Sequence, residues 1–313
     1  MQILRDIPQK SPPMALAVGN FDGMHRGHRL LIRHVLQYAR NHRLSSAVMT
    51  FEPHPLEIIS GKPVRRLGGI REKAAVLGEL DVQFLYLLRF TKAFSKLSGE
   101  AFAEMVFAQF GAKYVAVGEI FRFGQGRGGN VQLLRELGDK YGAVVSGVPL
   151  ETAEESPISS GRIRDCLRNG DFDGAAELLG EGWKLSGKVV RGRGFGRDLG
   201  YPTANLNLRF VPVCGGIFAA VAKIDGRIVP AAVSIGRNPT VGGERMTTEA
   251  HLLDFDGDLY GRRLVIRPCL KLREEKTFAD IDKLRSAIDD DVKQTRRWWE
   301  KNQKTIEDSF TGE

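Results

Sequence analysis

The chain has 313 residues, room for two ordinary domains with full cores, and its 42 % hydrophobic and 27 % charged content excludes a disordered or fibrous protein. No apolar run approaches the ~18–20 residues that span a bilayer, and the opening MQILRDIPQKSPP lacks the apolar stretch of a secretory signal. Forty-six Lys and Arg against 38 Asp and Glu leave a net charge of +8, which suits phosphorylated ligands and nucleic acid alike. Cys166, Cys214 and Cys269 are odd in number and widely spaced, so a reducing cytoplasm with no disulfide framework is expected.

In chain order, residues 14–18 form a short apolar run expected to be a buried strand. GNFDGMHRGH follows at residues 19–28, and the spacing beyond it predicts a helix. A strand-to-helix turn can bring backbone N–H groups and a helix dipole up to an anion. Gly19, Gly23 and Gly27 suit tight turns or the approach of a phosphate. His25 and His28, three apart, share a helix face and could donate to phosphate oxygens. Taken alone, a His-x-x-His pair is more often a packing or surface pair.

Strands are then expected at residues 47–51, 84–88, 114–117 and 143–148, and helices at 71–80, 99–110 and 131–141. This alternation predicts a parallel α/β sheet with helices on both faces and ligands beyond the carboxyl ends of its strands. Two further motifs fall at those ends. FEPHP holds His54 between prolines, and VGEIFRFGQGRGG (residues 117–129) carries Arg122, Phe123 and Arg127. Each also reads as an ordinary turn or surface loop. Next, Ser159 and Ser160 open a helix ending near Asn169, with Arg164 one turn in, which is both an N-cap and a candidate phosphate site.

Gly180 to Gly182 read as a linker, which predicts domains at 1–182 and 183–313, the second folding by itself. Beyond it the segments are short and β-like, at residues 185–190, 217–224, 228–235, 247–255 and 264–268, with turns at Asp225-Gly226 and Asp256-Gly257. They predict an antiparallel barrel or sandwich. A closing helix carries Ile281, Leu284, Ile288, Val292, Thr295 and Trp299 in one stripe, and a frayed tail is expected after Lys301.

Three pieces of this half carry chemistry. Gly192, Gly194, Gly196 and Arg197 sit in a glycine–arginine turn able to wrap a nucleotide, although such loops also bind RNA. Thr203 and Asn205, two apart in extended chain, offer hard oxygens suited to Mg²⁺ or simply make a turn. Glu249 lies in a strand otherwise suited to burial, where a carboxylate can serve as general base, although most strand glutamates are solvated.

In order and kind these motifs resemble the bifunctional bacterial riboflavin kinases/FAD synthetases. The carrying residues are GNFDG and His-x-Gly-His, then Ser-Ser-x-x-x-Arg, Pro202-Thr203-Ala204-Asn205, Glu249-x-His251, the Ser234-to-Thr240 and Asp254-to-Gly261 signatures, and Leu272-Arg273-Glu274-Glu275-Lys276-Thr277-Phe278. The resemblance implies a Rossmann-like nucleotidyltransferase domain followed by a β-barrel kinase with a C-terminal helix. It implies ATP binding by Gly19, Asn20, Phe21, Asp22, Gly23, His25, Gly27, His28, His54, Ser159, Ser160 and Arg164 in the first half. In the second half it implies ATP binding by Gly192, Gly194, Gly196, Arg197, Thr203 and Asn205, with Mg²⁺ on the last two and Glu249 as base. Flavin contacts are implied for Arg122, Phe123, Arg127, Arg273, Glu275 and Phe278, with His25 and His28 catalytic in adenylyl transfer.

The implied substrates are riboflavin, FMN and ATP, with FAD as product, no nucleic-acid or membrane partner, and a monomer or weak homo-oligomer. Three departures stand out. Ile120 replaces Asp or Asn, Gly161 replaces Thr, and Glu181-Gly182-Trp183 replaces Arg-Pro-Tyr/Phe. A nucleotidyltransferase with another acceptor, or a basic RNA-binding module, remain the alternatives.

Overall fold

The run Met14–Val18 is buried at every position, as an apolar segment lying inside a sheet must be. The computed structural model describes residues 1–9, 11–192, 194–237 and 246–311. Arg193 of the glycine–arginine turn and residues 238–240 of the Ser234 signature lie outside the described residues. The chain divides into two compact units: Met1–Val64 with Lys73–Ser160, and Arg65–Glu72 with Gly161–Glu313.

The first unit contains β1 (Gln2–Leu4), β2 (Met14–Val18), β3 (Ser45–Glu52), β4 (Phe84–Arg89), β5 (Ala112–Gly118) and β6 (Val144–Val148). They form one six-stranded sheet in the order β1-β4-β3-β2-β5-β6, and every pairing is parallel. Helices cover both faces. α1 (Arg26–His42) buries Leu31, Ile32 and Val35 on one, with α2 (Pro55–Ser60) following β3 and α3 (Ile70–Glu79) adding Val76 and Leu77 to that core. α4 (Gly99–Glu104) and α5 (Val131–Lys140) bury Phe102 and Leu134 on the other. The helix expected at 99–110 changes to one π turn over Met105–Gln109. Sheet order reverses at β2, because β3 and β4 lie to one side of it and β5 and β6 to the other.

The larger stretch of the second unit opens with α6 (Ser160–Asn169), whose first residue belongs to the first unit, and α7 (Phe172–Leu179), which the sequence pattern had not shown. Gly180 is not linker: it caps α7 in the left-handed region at φ 81°, with its N–H on Ala176 O. The barrel is closed and antiparallel. It is built from β7 (Leu185–Val190), β8 (Ala204–Asn207), β9 (Gly216–Ile224), β10 (Arg227–Arg237), β11 (Met246–Leu252) and β12 (Arg263–Arg273), in the order β7-β8-β11-β10-β9-β12. A four-residue helix, α8 (Phe195–Asp198), interrupts the β7–β8 connection, and α9 (Ile281–Thr311) closes the chain. α9 continues ten residues past the expected fraying point at Lys301, with Asn302 and Gln303 bonded one turn along.

The segment Arg65–Glu72 is part of this second unit although it lies far back in the sequence. Arg65 and Arg66 pair with Val211 and Pro212, the Trp183 indole donates to Leu67 O at 2.6 Å, and Glu72 accepts from Ser186 N at 2.7 Å. Phe172 of α7 packs its ring 5.8 Å from Phe218 of β9. A fragment spanning 161–313 should therefore unfold at a higher temperature than one spanning 183–313, since burying a Phe contributes ~1.5–3 kcal/mol. Equal midpoints in thermal denaturation would show that α6 and α7 add nothing to the barrel.

Candidate active sites

Where sheet order reverses, the loops after neighbouring strands diverge and leave a crevice at the carboxyl ends. The turn after β2 enters it. His25 caps α1: its Nδ1 accepts from His28 N at 3.4 Å, so a proton on its ring sits on Nε2. The two imidazoles stack, with centroids 3.5 Å apart. Gly27 lies beside this pair, where a Cβ would come into ordinary contact with the His25 ring. Phe21, at φ 48°, presents its ring to His28 in an edge contact at 5.2 Å.

His28 Nδ1 is buried without a hydrogen-bond partner, although the rest of the ring keeps some exposure. Its pKa is held well below the usual histidine value, first by desolvation, then by repulsion from His25 and Lys73. An occluded nitrogen with nothing to bond is an unmet donor or acceptor awaiting a ligand.

Around this pair the structure gathers several expected residues. Ser160 Oγ donates to Asp22 O at 2.9 Å, so the serine motif meets the glycine turn. Asp22 is buried, and Ser159, next to Ser160, is exposed. His54 caps α2, accepting from Leu56 N at 3.2 Å, just beyond the end of β3. Gly19 donates to Met49 O, Asn20 is exposed, and Gly23 turns at φ 83°. Arg164, by contrast, belongs to the second unit, where its Nε donates to Arg65 O.

In the loop after β5, Arg122 and Arg127 are exposed, but Phe123 is core: it is buried with its ring 5.1 Å from Phe102 and 5.5 Å from Phe121. Ile120 is 65 % exposed.

Sequence reasoning missed Lys73 and Thr50. Lys73 is only 7 % exposed and donates to Asn20 O at 2.6 Å and Thr50 Oγ1 at 2.9 Å. The signal was present, since Lys73 shares the buried face of α3 with Val76 and Leu77.

In the second unit, cross-strand register assembles a second cluster. Val190, Asn205, Glu249 and Ser234 oppose one another across β7, β8, β11 and β10, so their side chains share a face. Asn205, Glu249 and Ser234 are half-buried, while their neighbours Ala204, Thr248, Ala250 and Val233 point inward. Thr203 Oγ1 donates to Glu249 Oε2 at 3.3 Å. The Asn205 amide lies directly over Gly192, where a Cβ would collide with it. Gly194 precedes α8 at φ 81°, Gly196 lies within α8, and Arg197 is exposed.

His251 Nδ1 meets Pro202 O at 2.9 Å, tying the Pro-Thr-Ala-Asn turn to β11. Tyr201 packs edge-on to His251 and donates to Asp289 of α9.

Arg273, Glu275 and Phe278 are engaged within this unit. Arg273 forms a two-pronged ion pair with buried Asp291 at 2.9 and 2.7 Å, and its guanidinium lies 5.6 Å over the Phe278 ring. Glu275 rests against Gly236.

The family described as FAD synthetase matches residues 7–162, and that described as Riboflavin kinase matches residues 179–299. A bifunctional riboflavin kinase/FMN adenylyltransferase of Escherichia coli K12 is 37 % identical over 91 % of this chain and 92 % of its own. One from Pseudomonas fluorescens is 34 % identical over 95 % of this chain and 97 % of its own. A crystal structure from Streptococcus pneumoniae, described as a macrolide-efflux protein, superposes with a TM-score of 0.76 at 30 % identity, over 95 % of this chain and 99 % of that one. No described helix here is long and apolar enough to cross a membrane.

The low pKa of His28 has a consequence for stability. Below the ordinary value of 6.5, the unfolded chain binds a proton that the folded one does not, so acid favours unfolding until the folded pKa is passed. Replacing His28 with Gln should shrink the fall in unfolding temperature between about pH 7.5 and about pH 5.5. An unchanged fall would show that His28 titrates normally in the fold.

Proposed function

We propose, from the premise that the chain belongs to the family of bifunctional riboflavin kinases/FMN adenylyltransferases, a set of residue roles for two reactions in series. The enzyme phosphorylates riboflavin to FMN with ATP in its C-terminal domain and joins FMN to AMP in its N-terminal domain, releasing pyrophosphate. The functional halves are assigned to residues 1–182 and 183–313. The basic balance of charge is read as serving polyphosphates rather than nucleic acid, in a cytoplasmic monomer or weak homo-oligomer.

The observation that carries the kinase roles is the convergence of Thr203, Asn205 and Glu249 on one half-buried face. Hydroxyl, amide and carboxylate oxygens there suit Mg²⁺, with Thr203 and Asn205 as its holders. The ion, when bound, would neutralise phosphate charge. Glu249 accepts the proton of the ribityl 5′-hydroxyl as that oxygen attacks the γ-phosphorus and ADP leaves. Gly192, Gly194, Gly196 and Arg197 cradle the nucleotide, and Arg273, Glu275 and Phe278 flank the flavin.

In adenylyl transfer an FMN phosphate oxygen attacks the α-phosphorus of ATP, and the bond to the β-phosphate's bridging oxygen breaks. His25 offers its Nε2 proton and His28 its unpartnered ring to the phosphates, over the N-terminus of α1. Ser159 and Ser160 add donors, with His54 nearby, and Arg122 and Arg127 close on the flavin nucleotide. Phe123 supports that loop from the core rather than touching ligand, as its burial argues.

The two activities should separate by single substitutions, read by chromatography of riboflavin, FMN and FAD. His28→Ala removes a donor worth ~10²–10³ in rate, so FMN accumulates and FAD nearly disappears. Glu249→Gln removes a base worth ~10²–10⁴, so riboflavin persists while supplied FMN still becomes FAD. Loss of FMN formation in His28→Ala, or of FAD formation from FMN in Glu249→Gln, would overturn the two-site assignment.

A further inference from the structure

A lysine ammonium is expensive to bury, and Lys73 is among the few buried charged side chains of the first unit. Nothing about helix α3 requires it. Ala, Leu or Met would fill the same face beside Val76 and Leu77 without desolvating a charge. Lys73 bonds to the turn at Asn20 O and to the strand end beneath it at Thr50 Oγ1. The carbonyl of Asn20 receives Lys73 Nζ at 2.6 Å and Thr50 Oγ1 at 3.1 Å, and Lys73 Nζ also reaches Thr50 Oγ1 at 2.9 Å. Lysine, threonine and carbonyl thus close a three-membered ring of hydrogen bonds.

That ring fixes the peptide immediately before Phe21. Phe21 is held at φ 48°, a conformation few large side chains adopt, and its ring is the edge partner of His28. A rigid path therefore runs from Lys73 through Asn20 O and Phe21 to the His28 imidazole. A second path is electrostatic. Lys73 and His25 are the two charged or titratable groups that repel a proton from His28. Asp22, the acid on the same turn, is buried, and its backbone carbonyl accepts from Ser160 Oγ.

We propose that Lys73 is a positioning residue for adenylyl transfer, anchoring the Asn20–Phe21 peptide so that the His28 ring faces the incoming triphosphate. The proposal rests on the adenylyltransferase reading of the first unit. A buried fixed cation here has two advantages over a hydrophobic residue. It aims the turn without touching substrate, and it reserves the protonation of His28 for the moment when phosphate charge offsets the repulsion.

The test uses the full-length protein labelled at histidine, with His28 assigned by its loss in His28→Gln, and follows imidazole titration by NMR without nucleotide. In Lys73→Met the His28 midpoint should rise toward the ordinary histidine value. In adenylyl transfer the KM for ATP should increase by ~10–100-fold, the cost typical of losing a supporting group. Lys73→Arg should recover part of both. Thr50→Val, which keeps the lysine and removes one wall of its cage, should show the same direction with smaller size if Lys73→Met fails to fold.

Riboflavin phosphorylation, measured in each variant, should stay at its starting level. An unmoved His28 titration, or adenylylation and phosphorylation falling together with the unfolding temperature, would reduce Lys73 to a packing residue and overturn the proposal. Absence of FAD formation by the unmodified protein would instead defeat the adenylyltransferase reading, and the titration would still decide the role of Lys73.

Discussion

The first unit depends on one constraint: β2 is the strand from which the parallel sheet grows in both directions. Parallel strands need crossovers, and crossovers on opposite sides of β2 carry the chain away from the space above its carboxyl end. The turn from Gly19 to His25 enters that space, with Phe21 and Met24 buried beneath it. Such a turn would collapse or fray unless something held its carbonyls. Asn20 O is held by Thr50 and Lys73, Asp22 O by Ser160, and the N-terminus of α1 by His25. The result is a preorganised cationic cradle with an unsatisfied imidazole nitrogen inside it. Preorganisation of this kind is what lets donors stabilise developing phosphate charge without reorganising during the reaction.

The second unit solves a different problem by a different route. A closed antiparallel barrel has no switch point, so its polar cluster is set by register. Because Asn205 stands opposite Glu249, and Glu249 opposite Ser234, a one-residue slip of β11 would send the carboxylate to the inner face among Ala250 and Val233. The register is secured from outside by the His251–Pro202 bond and by Tyr201 reaching Asp289 of α9. The C-terminal helix therefore acts on the site by bracing the turn that carries Thr203.

Much of this was legible in the sequence because its signals were local. Strand patterning placed β2, β7 and β9 within a residue, whereas β10 runs on to Arg237, β11 stops at Leu252 short of the expected Phe255, and β12 runs on to Arg273. The His-x-Gly-His and Pro-Thr-Ala-Asn motifs, ambiguous one by one, took on meaning only through their order along the chain and the family it resembles. What stayed hidden depended on distant partners. α7 carried too few residues to stand out, and Gly180 looked like linker until its left-handed capping geometry was known. The resemblance implies a flavin contact for Phe123, a residue that packs into the core against Phe102. Arg65–Glu72 gives no local sign that it joins the barrel's unit, since its partners lie more than a hundred residues away. Lys73 was the exception, a charge on an apolar helix face whose meaning was available and overlooked.

The central claim is that one chain phosphorylates riboflavin and then adenylylates the product. The most direct measurement is a time course of flavin species after mixing the purified protein with riboflavin and Mg-ATP. The account predicts that FMN rises first and FAD follows after a lag, with one ADP released per FMN made and one pyrophosphate per FAD. Riboflavin left unconverted, or FMN that accumulates with no FAD at any time, would contradict it.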